Sequence, residues 1–265
     1  YLWFNTGTDH PGTVAVYYGN PGFAQAFDKD EIFVSIVPAL QLAYGGGVEV
    51  NGQFTDSSGN GRHGIPAGGA TPDPDGKFGS CIKTNSGWVE SPNVVLSAGI
   101  PASFSVTAWV KVPASGVRTI AGEWGENFQK GRFYLAVVDS KIRFVRLEQA
   151  PNANYVQTSD EVVPNDQWFH VAGVYSNVNK ELMIYVNGVK RAVQSGWETP
   201  PVIGDDVKTL FGINEGGKDP LQGRLDDVTL HSQKLQDWDI ADLYQHKGHS
   251  TPAHKGYILV HPLPA

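Results

Sequence analysis

Apolar and polar residues alternate along much of the middle of the chain. In residues 103–112 apolar side chains recur at every second position, namely Phe104, Val106, Ala108, Val110 and Val112. A period of two places such side chains on one face of a strand that is half buried against a core. Residues 103–112 are therefore predicted to form a β-strand.

Similar runs follow at regular spacing, each closed by turn residues. Further strands are predicted at residues 133–138, 141–147, 168–175, 182–186 and 224–230. Asn187-Gly188, which stands between residues 182–186 and a second run at 189–193, is typical of a tight hairpin turn. One helix is predicted at residues 237–244, where acids occupy the first turn. Many antiparallel strands with one short C-terminal helix indicate an all-β sandwich or barrel.

Composition and charge narrow the function. The 265 residues include 31 Gly and 17 Pro, which suits many short strands joined by tight turns. The formal net charge of −7 provides no basic surface, so we expect neither nucleic acid nor an anionic membrane as partner. No run reaches the ~18 apolar residues of a membrane span. Cys81 is the single cysteine, which excludes an internal disulfide.

The chain divides into three segments on this pattern. Residues 1–30 end a strand in a Gly-Pro turn and a polar stretch, which predicts the end of an upstream module or a linker. Residues 31–248 hold the predicted sandwich. Residues 249–265 carry three prolines and are predicted to be an extended tail or linker.

One loop has the spacing of a calcium turn. In the stretch 56–61, oxygen-bearing side chains stand at the first, third and fifth positions, as Asp56, Ser58 and Asn60, and Gly61 permits a sharp turn. An EF-hand would need a glutamate where Ala67 stands, so a further carboxylate must come from elsewhere, and Asp226 or Asp227 is the expected donor. The same residues are also typical of an Asx-turn that binds no ion. Both readings stay open at this point.

Four blocks in a fixed order carry a family resemblance. They are the 56–61 turn, then 104–110 (FSVTAWV), then 168–175 (WFHVAGVY) with 184–188 (IYVNG), and last 223–228 (GRLDDV). Together they resemble the laminin-G-like jelly roll of the concanavalin A-like lectin and glucanase superfamily over roughly residues 46–246. Residues 16–21 are also similar to the end of an uncharacterised bacterial envelope domain.

The resemblance implies an antiparallel jelly-roll sandwich of two sheets and a role in binding glycan or protein. It also implies one calcium ion on Asp56 and Asp226, with Asn60 and backbone carbonyls of this loop in support, and Ser58 stays a candidate ligand from the spacing alone. The expected protein is a non-catalytic module of a larger exported or envelope protein, located extracellularly, at the cell surface or in the periplasm. Its expected partners are a carbohydrate or a cell-surface protein, and other domains of the same polypeptide.

Aromatic residues beside polar ones are the candidates for ligand contact. Sugar rings stack their C–H faces on aromatic rings while neighbouring polar groups bond the hydroxyls. The candidate ligand-binding residues are Trp124, Glu123, Glu126, Trp197 and Tyr155, with Glu123 and Glu126 expected in a loop after a strand. Arg143 and Arg146 are three apart, so a regular strand cannot present both on one face.

Two other functions remain open on the sequence. A polysaccharide-cleaving enzyme would use Glu123 or Glu126 with His170 or Tyr134, but no Glu-x-Asp-x-x-Glu pattern is present. His170 lies in an apolar strand and is interpreted as a hydrogen-bonded core residue. A structural spacer or adhesion domain is the third possibility, and no catalytic residue is assigned.

Overall fold

The structure is a computed structural model that describes residues 2–5, 15–18, 40–92, 96, 103–125, 131–147, 153–158, 160–196, 207–214 and 217–245. The chain forms two compact units, of which one comprises Val37–His254 and the other Tyr1–Ile36 with Lys255–Ala265. In the smaller unit, β1 (Leu2–Asn5) pairs antiparallel with β2 (Ala15–Tyr18). The sequence predicted only the second of these strands.

The larger unit contains sixteen strands and one helix among the residues that the structure describes. The strands are β3 (Leu40–Val50), β4 (Gln53–Asp56), β5 (Ile65–Ala67), β6 (Thr71–Asp73), β7 (Cys81–Lys83), β8 (Trp88–Glu90), β9 (Ser103–Lys111), β10 (Val117–Trp124), β11 (Gly131–Val138), β12 (Lys141–Leu147), β13 (Ala153–Gln157), β14 (Phe169–Ser176), β15 (Glu181–Val186), β16 (Val189–Ser195), β17 (Lys208–Phe211) and β18 (Arg224–His231). The helix is α1 (Asp237–Gln245).

The strands form two antiparallel sheets. The seven-stranded sheet has the order β13-β12-β11-β10-β17-β8-β5, and the nine-stranded sheet has the order β16-β15-β14-β9-β18-β3-β4 with β6 and β7 beside it. Consecutive strands pair within β10 to β13, within β14 to β16 and between β3 and β4, whereas pairs such as β10 with β17 and β9 with β18 join strands that are distant in sequence. The predicted all-β jelly-roll sandwich with one short C-terminal helix is confirmed.

The predicted hairpin turn is present with the expected backbone. Asn187 and Gly188 join β15 to β16, and their φ angles are 50° and 77°. Positive φ at both central residues matches the right-handed twist of the flanking strands. Asp139 and Ser140 join β11 to β12 in the same way, with φ of 47° and 64°.

The main core lies between the two sheets and is rich in aromatic rings. Phe104 on the nine-stranded sheet contacts Phe133 and Phe144 on the other sheet, with ring centroids 5.3 and 6.0 Å apart. Gly173 makes room for one of these rings, since a Cβ there would lie 2.6 Å from Phe144. Close packing of this kind binds the sheets face to face.

Helix α1 covers part of the outer face of the nine-stranded sheet. Ile240 and Leu243 pack into a second apolar cluster with side chains of β14 and β15. The Tyr185 hydroxyl donates a 2.6 Å hydrogen bond to Asp237 at the start of the helix. Within the described part of the chain, no helix has the length and apolar character needed to cross a membrane.

Candidate functional site

The structure separates the predicted ligand-binding residues. Tyr155 lies in β13 and is exposed, whereas Glu123 lies in β10 and is buried. Trp124 is the last residue of β10, where its backbone pairs with Lys208, and its side chain lies outside the description. Glu126 and Trp197 lie outside the described residues, so their predicted roles stay predictions.

Glu123 is not in a loop, and that expectation is wrong. Its side chain is 0% exposed and faces the core, because Glu123 pairs in register with the core residue Phe133. One carboxylate oxygen binds Arg132 Nη1 at 2.7 Å, and the other accepts hydrogen bonds from the Leu96 N–H and the Thr209 hydroxyl, both at 2.8 Å. This carboxylate joins neighbouring segments inside the sandwich and does not face a ligand.

Glu123 is also apart from the two residues that an enzyme would pair with it. Tyr134 alternates with Phe133 along β11 and lies on the outer face of the seven-stranded sheet. His170 lies on the outer face of the other sheet, beneath α1. A catalytic pair of Glu123 with either residue is therefore not assembled.

The outer face of the seven-stranded sheet carries a row of side chains that crosses all of its strands. Cross-strand register places one outward residue of each strand in this transverse row, which consists of Ile65, Glu90, Leu210, Gly122, Tyr134, Val145 and Tyr155. Tyr134 and Val145 belong to an apolar cluster separate from the main core. The row is therefore on the surface opposite the core.

The middle of the transverse row is recessed. Tyr155 and Ile65, on the two edge strands, are 51% and 41% exposed, whereas Val145, Tyr134 and Leu210 are 7–8% exposed. From the low exposure of these outward-facing residues, between exposed residues on the two edge strands, we infer a trough along the middle of the row. Concave, largely apolar surfaces with a few polar groups are typical of ligand sites.

Polar groups stand at one end of this trough. The Arg143 guanidinium lies 4.9 Å from the centroid of the Tyr155 ring, and its Nε donates a 2.8 Å hydrogen bond to Gln157. Burial raises the pKa of the Tyr134 hydroxyl to about 12, so this group stays protonated at neutral pH. An aromatic ring, a guanidinium, an amide and a hydroxyl together can stack on a sugar and bond its hydroxyl groups.

The sequence indicates Tyr155 as a candidate ligand-binding residue but does not indicate the transverse row to which it belongs. Neither Gly122 nor Leu210 carries a functional signal, because their importance comes from register between strands that are far apart in sequence. Arg143 and Arg146 do lie on opposite faces, as their spacing predicts. Arg146 is buried with its guanidinium 4.5 Å from the Tyr175 ring centroid.

The predicted calcium loop is held by its own hydrogen bonds. Asp56 Oδ1 accepts from the N–H groups of Ala43 at 2.9 Å and Ser58 at 3.0 Å. Asp56 Oδ2 accepts from the Ser58 hydroxyl and the Arg62 N–H, both at 2.9 Å. A carboxylate offers about four lone-pair positions, so these four donors use them all.

The other predicted ligands are also engaged. The Asn60 amide nitrogen donates 3.1 Å hydrogen bonds to the carbonyls of Leu40 and Gln41, and the Arg62 guanidinium donates to the same Gln41 carbonyl. The Asn60 side chain thus directs its NH2 group, and not its oxygen, towards these carbonyls. The Arg62 guanidinium already binds the Gln41 carbonyl, which a metal ion in this loop would need.

Asp226 is engaged at a different loop. Its oxygens accept 2.9 and 2.8 Å hydrogen bonds from the N–H groups of Phe78 and Asp227. Its strand, β18, is separated from that of Asp56 by β3. Within the described residues, no group of three His, Cys, Asp or Glu side chains is arranged to hold a metal ion. The donor set of Asp56, Ser58, Asn60 and Asp226 therefore does not fit calcium as predicted.

We expect the thermal stability of the chain to be independent of calcium. The melting temperature in excess calcium and in EDTA should agree within about 1 °C, while Asp56→Ala should lower it by at least about 5 °C in both buffers, because several N–H groups lose their acceptor. Differential scanning calorimetry checks both. A melting temperature of the wild-type chain that rises several degrees with calcium, with no such rise in Asp56→Ala, would restore the calcium prediction.

His170 is buried, as predicted, but it is not hydrogen-bonded. Its ring is 5.6 Å from that of Trp109 and 6.3 Å from that of Tyr244 on α1. Neither ring nitrogen of His170 has a hydrogen-bond partner, and the same holds for Nε1 of Trp109. Burial lowers the pKa of His170 to about 3, so the imidazole is neutral at physiological pH. His170 therefore packs under the helix, and neither of its ring nitrogens contacts a group to which it could give or from which it could take a proton.

Comparison with known proteins agrees with this architecture. The family model described as the concanavalin A-like lectin/glucanases superfamily matches residues 83–241, more than half of the chain. This chain belongs to that superfamily. The match includes β8 to β18, which come from both sheets, and every residue of the transverse row except Ile65.

Proteins of known structure share the fold at low identity. The binding domain of Paraclostridial Mosquitocidal Protein 1 matches with a TM-score of 0.60 and 18% identity, over 78% of this chain and 52% of that one. Domain 4 of AbnA, a GH43 extracellular arabinanase from Geobacillus stearothermophilus solved in complex with arabinotriose, matches with a TM-score of 0.61 and 21% identity, over 78% of this chain and 98% of that domain. At these identities the matches show the fold.

One curated relative is an enzyme subunit. The chain is 26% identical over 119 residues to the N,N-dimethylformamidase beta subunit of an Alcaligenes species. The match covers 45% of this chain but only 15% of that subunit. The chain thus corresponds to a small part of that relative.

Proposed function

We propose that this chain is a non-catalytic carbohydrate-binding module that holds a glycan in the trough on the outer face of its seven-stranded sheet. The observation that carries the proposal is the exposed Tyr155 ring, which lies 4.9 Å from the Arg143 guanidinium at one end of the transverse row. A tyrosine side chain has only two rotatable bonds and a large ring, so it loses little conformational entropy when a sugar stacks on it. Partly satisfied polar groups beside the ring can then select among sugars.

The similar structures favour the same function. Domain 4 of AbnA was solved with arabinotriose, and the similar chain of Paraclostridial Mosquitocidal Protein 1 is a binding domain. Both are parts of larger proteins, as is the stretch matched in the dimethylformamidase subunit. We therefore propose that the chain serves a larger exported or envelope protein, at the cell surface, in the periplasm or outside the cell. Its partners are a carbohydrate or a glycosylated surface protein, and other domains of the same polypeptide.

The Tyr155→Ala variant tests this function directly. A glycan array that includes arabinotriose should show binding by the wild-type chain and a loss of about five- to twelvefold in Tyr155→Ala, since a stacked aromatic ring contributes about 1–1.5 kcal/mol. Trp238→Ala is the matched control, because Trp238 is 53% exposed on α1 and removing it deletes an aromatic ring elsewhere. A wild-type chain that binds nothing on the array, or equal losses in both variants, would contradict the proposal.

A further inference from the structure

We propose that Asn51 is a site of spontaneous deamidation, and that the fold directs this reaction to Asn51 among the Asn-Gly pairs of the chain. The sequence contains three such pairs, at Asn51-Gly52, Asn60-Gly61 and Asn187-Gly188. Glycine has no side chain, so its backbone nitrogen can approach the preceding asparagine side chain without hindrance. The three pairs differ in what holds the asparagine and in how easily its turn can open.

The reaction needs only the chain and water. The Gly52 backbone nitrogen attacks Cγ of Asn51, a bond forms between these two atoms, and the Cγ–Nδ2 bond breaks. The Gly52 amide proton passes to Nδ2, which departs as ammonia, and a succinimide ring is left. Water then opens the ring at Cγ, which gives aspartate, or at the main-chain carbonyl carbon, which gives isoaspartate. Either product carries a carboxylate where the chain had a neutral amide.

Asn187 is held to a buried strand by two hydrogen bonds. Its Oδ1 accepts from the His170 N–H at 2.9 Å, and its own N–H donates to the His170 carbonyl at 2.9 Å. His170 belongs to β14, which is buried along its whole length. In the left-handed conformation of Asn187, the nitrogen of the next residue lies on the far side of the Cα–C bond from Cβ. The turn must therefore open before Gly188 can attack, and both hydrogen bonds oppose the opening.

Asn60 is held by its side-chain amide. Its Nδ2 donates hydrogen bonds to the carbonyls of Leu40 and Gln41 at 3.1 Å and to the Ser58 hydroxyl at 3.0 Å. The nitrogen that would leave as ammonia is thus the atom that the loop binds. The side chain cannot turn towards the Gly61 nitrogen until these hydrogen bonds break.

Asn51 has no such restraint. With Gly52 it forms the turn between β3 and β4, and both residues are exposed. Their φ angles are 51° and 81°, so this turn has the same left-handed conformation as the turn at Asn187. Among the residues that the structure describes, none forms a hydrogen bond with the Asn51 side chain. Only the pairing of the two strands keeps this turn closed.

The pairing next to this turn is short. Val50 pairs with Gln53 and Glu49 pairs with Phe54, but the register is then irregular as far as the pair that Tyr44 forms on β4. β4 is also the edge strand of the nine-stranded sheet. A hairpin tip at a sheet edge with two regular pairs can open locally while the rest of the sheet stays folded. Asn51 is therefore the Asn-Gly site that the fold leaves free to react.

Isoaspartate at this position would disturb the edge of the sheet. It adds one methylene to the main chain between the two turn residues, so the turn can no longer join Val50 to Gln53 in register. β4 carries Phe54, which is 1% exposed in the main core, and Asp56, whose carboxylate holds the following loop. Reaction at Asn51 should therefore lower the thermal stability of the chain and add one negative charge.

Peptide mapping by mass spectrometry compares the three sites within one sample. The wild-type chain is kept at neutral pH for several weeks, folded and in parallel in guanidinium chloride, and each Asn-Gly peptide is scored for aspartate and isoaspartate. In the folded chain Asn51 should react at least about tenfold faster than Asn60 and Asn187, since each of these must first break two or more hydrogen bonds. In the unfolded chain the three rates should agree within a few-fold, because all three sites then share the same unhindered glycine neighbour.

Asn51→Gly is the matched control, since glycine adopts the φ of this turn and has no side-chain amide to lose. Its melting temperature should stay constant during the incubation, whereas that of the wild type should fall as isoaspartate accumulates. Equal rates at the three sites in the folded chain, or a faster reaction at Asn60 or Asn187, would overturn the proposal. So would a folded chain in which Asn51 stays intact for as long as the unfolded chain takes to react.

Discussion

Replacing Arg132 with methionine is expected to lower the free energy of unfolding by about 3–5 kcal/mol, because Glu123 would be left as an unpaired charge inside the sandwich. Arg132 and Glu123 are 1% and 0% exposed, and their side chains meet at 2.7 Å. Water cannot replace the lost partner at such a site. Urea-induced unfolding followed by tryptophan fluorescence measures the change.

The double variant Glu123→Leu with Arg132→Met provides the control. The double variant has no buried carboxylate at residue 123 that lacks a partner. It should therefore recover most of the stability lost in Arg132→Met. A single variant that costs less than about 1 kcal/mol would show that Glu123 reaches water and would reopen its candidacy as a ligand-binding residue. Folded Glu123→Gln should bind glycan as the wild type does.

Acid is expected to destabilise the chain through His170. Its pKa falls from 6.5 in the unfolded chain to about 3 in the folded one, so protons bind preferentially to the unfolded state. Above pH 6.5 the imidazole is neutral in both states and does not lower the free energy of unfolding. The free energy of unfolding falls as the pH falls from 6.5 towards 3. At pH 4.5, two units below the unfolded pKa, the loss from this residue is about 2.7 kcal/mol.

The comparison of wild type with His170→Phe isolates this contribution. Carboxylates elsewhere titrate in both proteins, so the difference between their unfolding free energies at pH 7 and pH 4.5 belongs to residue 170. The groups around the imidazole are the rings of Trp109 and Tyr244, with the Lys77 ammonium 4.3 Å above Trp109. A wild-type chain that loses no more stability than His170→Phe would show that the buried imidazole is not responsible.

Local patterns predicted β9, β11, β12, β14 to β16 and β18 and the tight turns between them, whereas β3 to β8, β10, β13 and β17 were not predicted. The alternation in residues 103–112 corresponds to β9, and Asn187-Gly188 forms the expected turn, because both signals depend on neighbours in sequence. The parity of His170 was also predicted correctly, with Ala172 and Val174 on its face. Its missing hydrogen bonds could not be predicted, since they depend on the rings that α1 and β9 place around it.

The site was only partly predictable. Glu123 follows a glycine beside a tryptophan, which is typical of a loop, yet a bulge in β10 after Thr119 carries it into the core. The transverse row depends on pairing between β10 and β17, which are more than eighty residues apart in sequence. The spacing of Asp56, Ser58 and Asn60 is compatible with either an ion or an Asx-turn, and contacts with the separate strand β3 favour the turn.

The most direct test of a glycan site on the outer face of the seven-stranded sheet is a 15N–1H correlation spectrum of the chain, titrated with the glycan that gives the strongest array signal. We expect amide signals to change at Gly122, Tyr134, Val145 and Tyr155, in a row across four strands, and EDTA to leave the changes intact. Changes confined to the 56–62 loop, or to the exposed strand β16, would contradict a binding site on the outer face of the seven-stranded sheet.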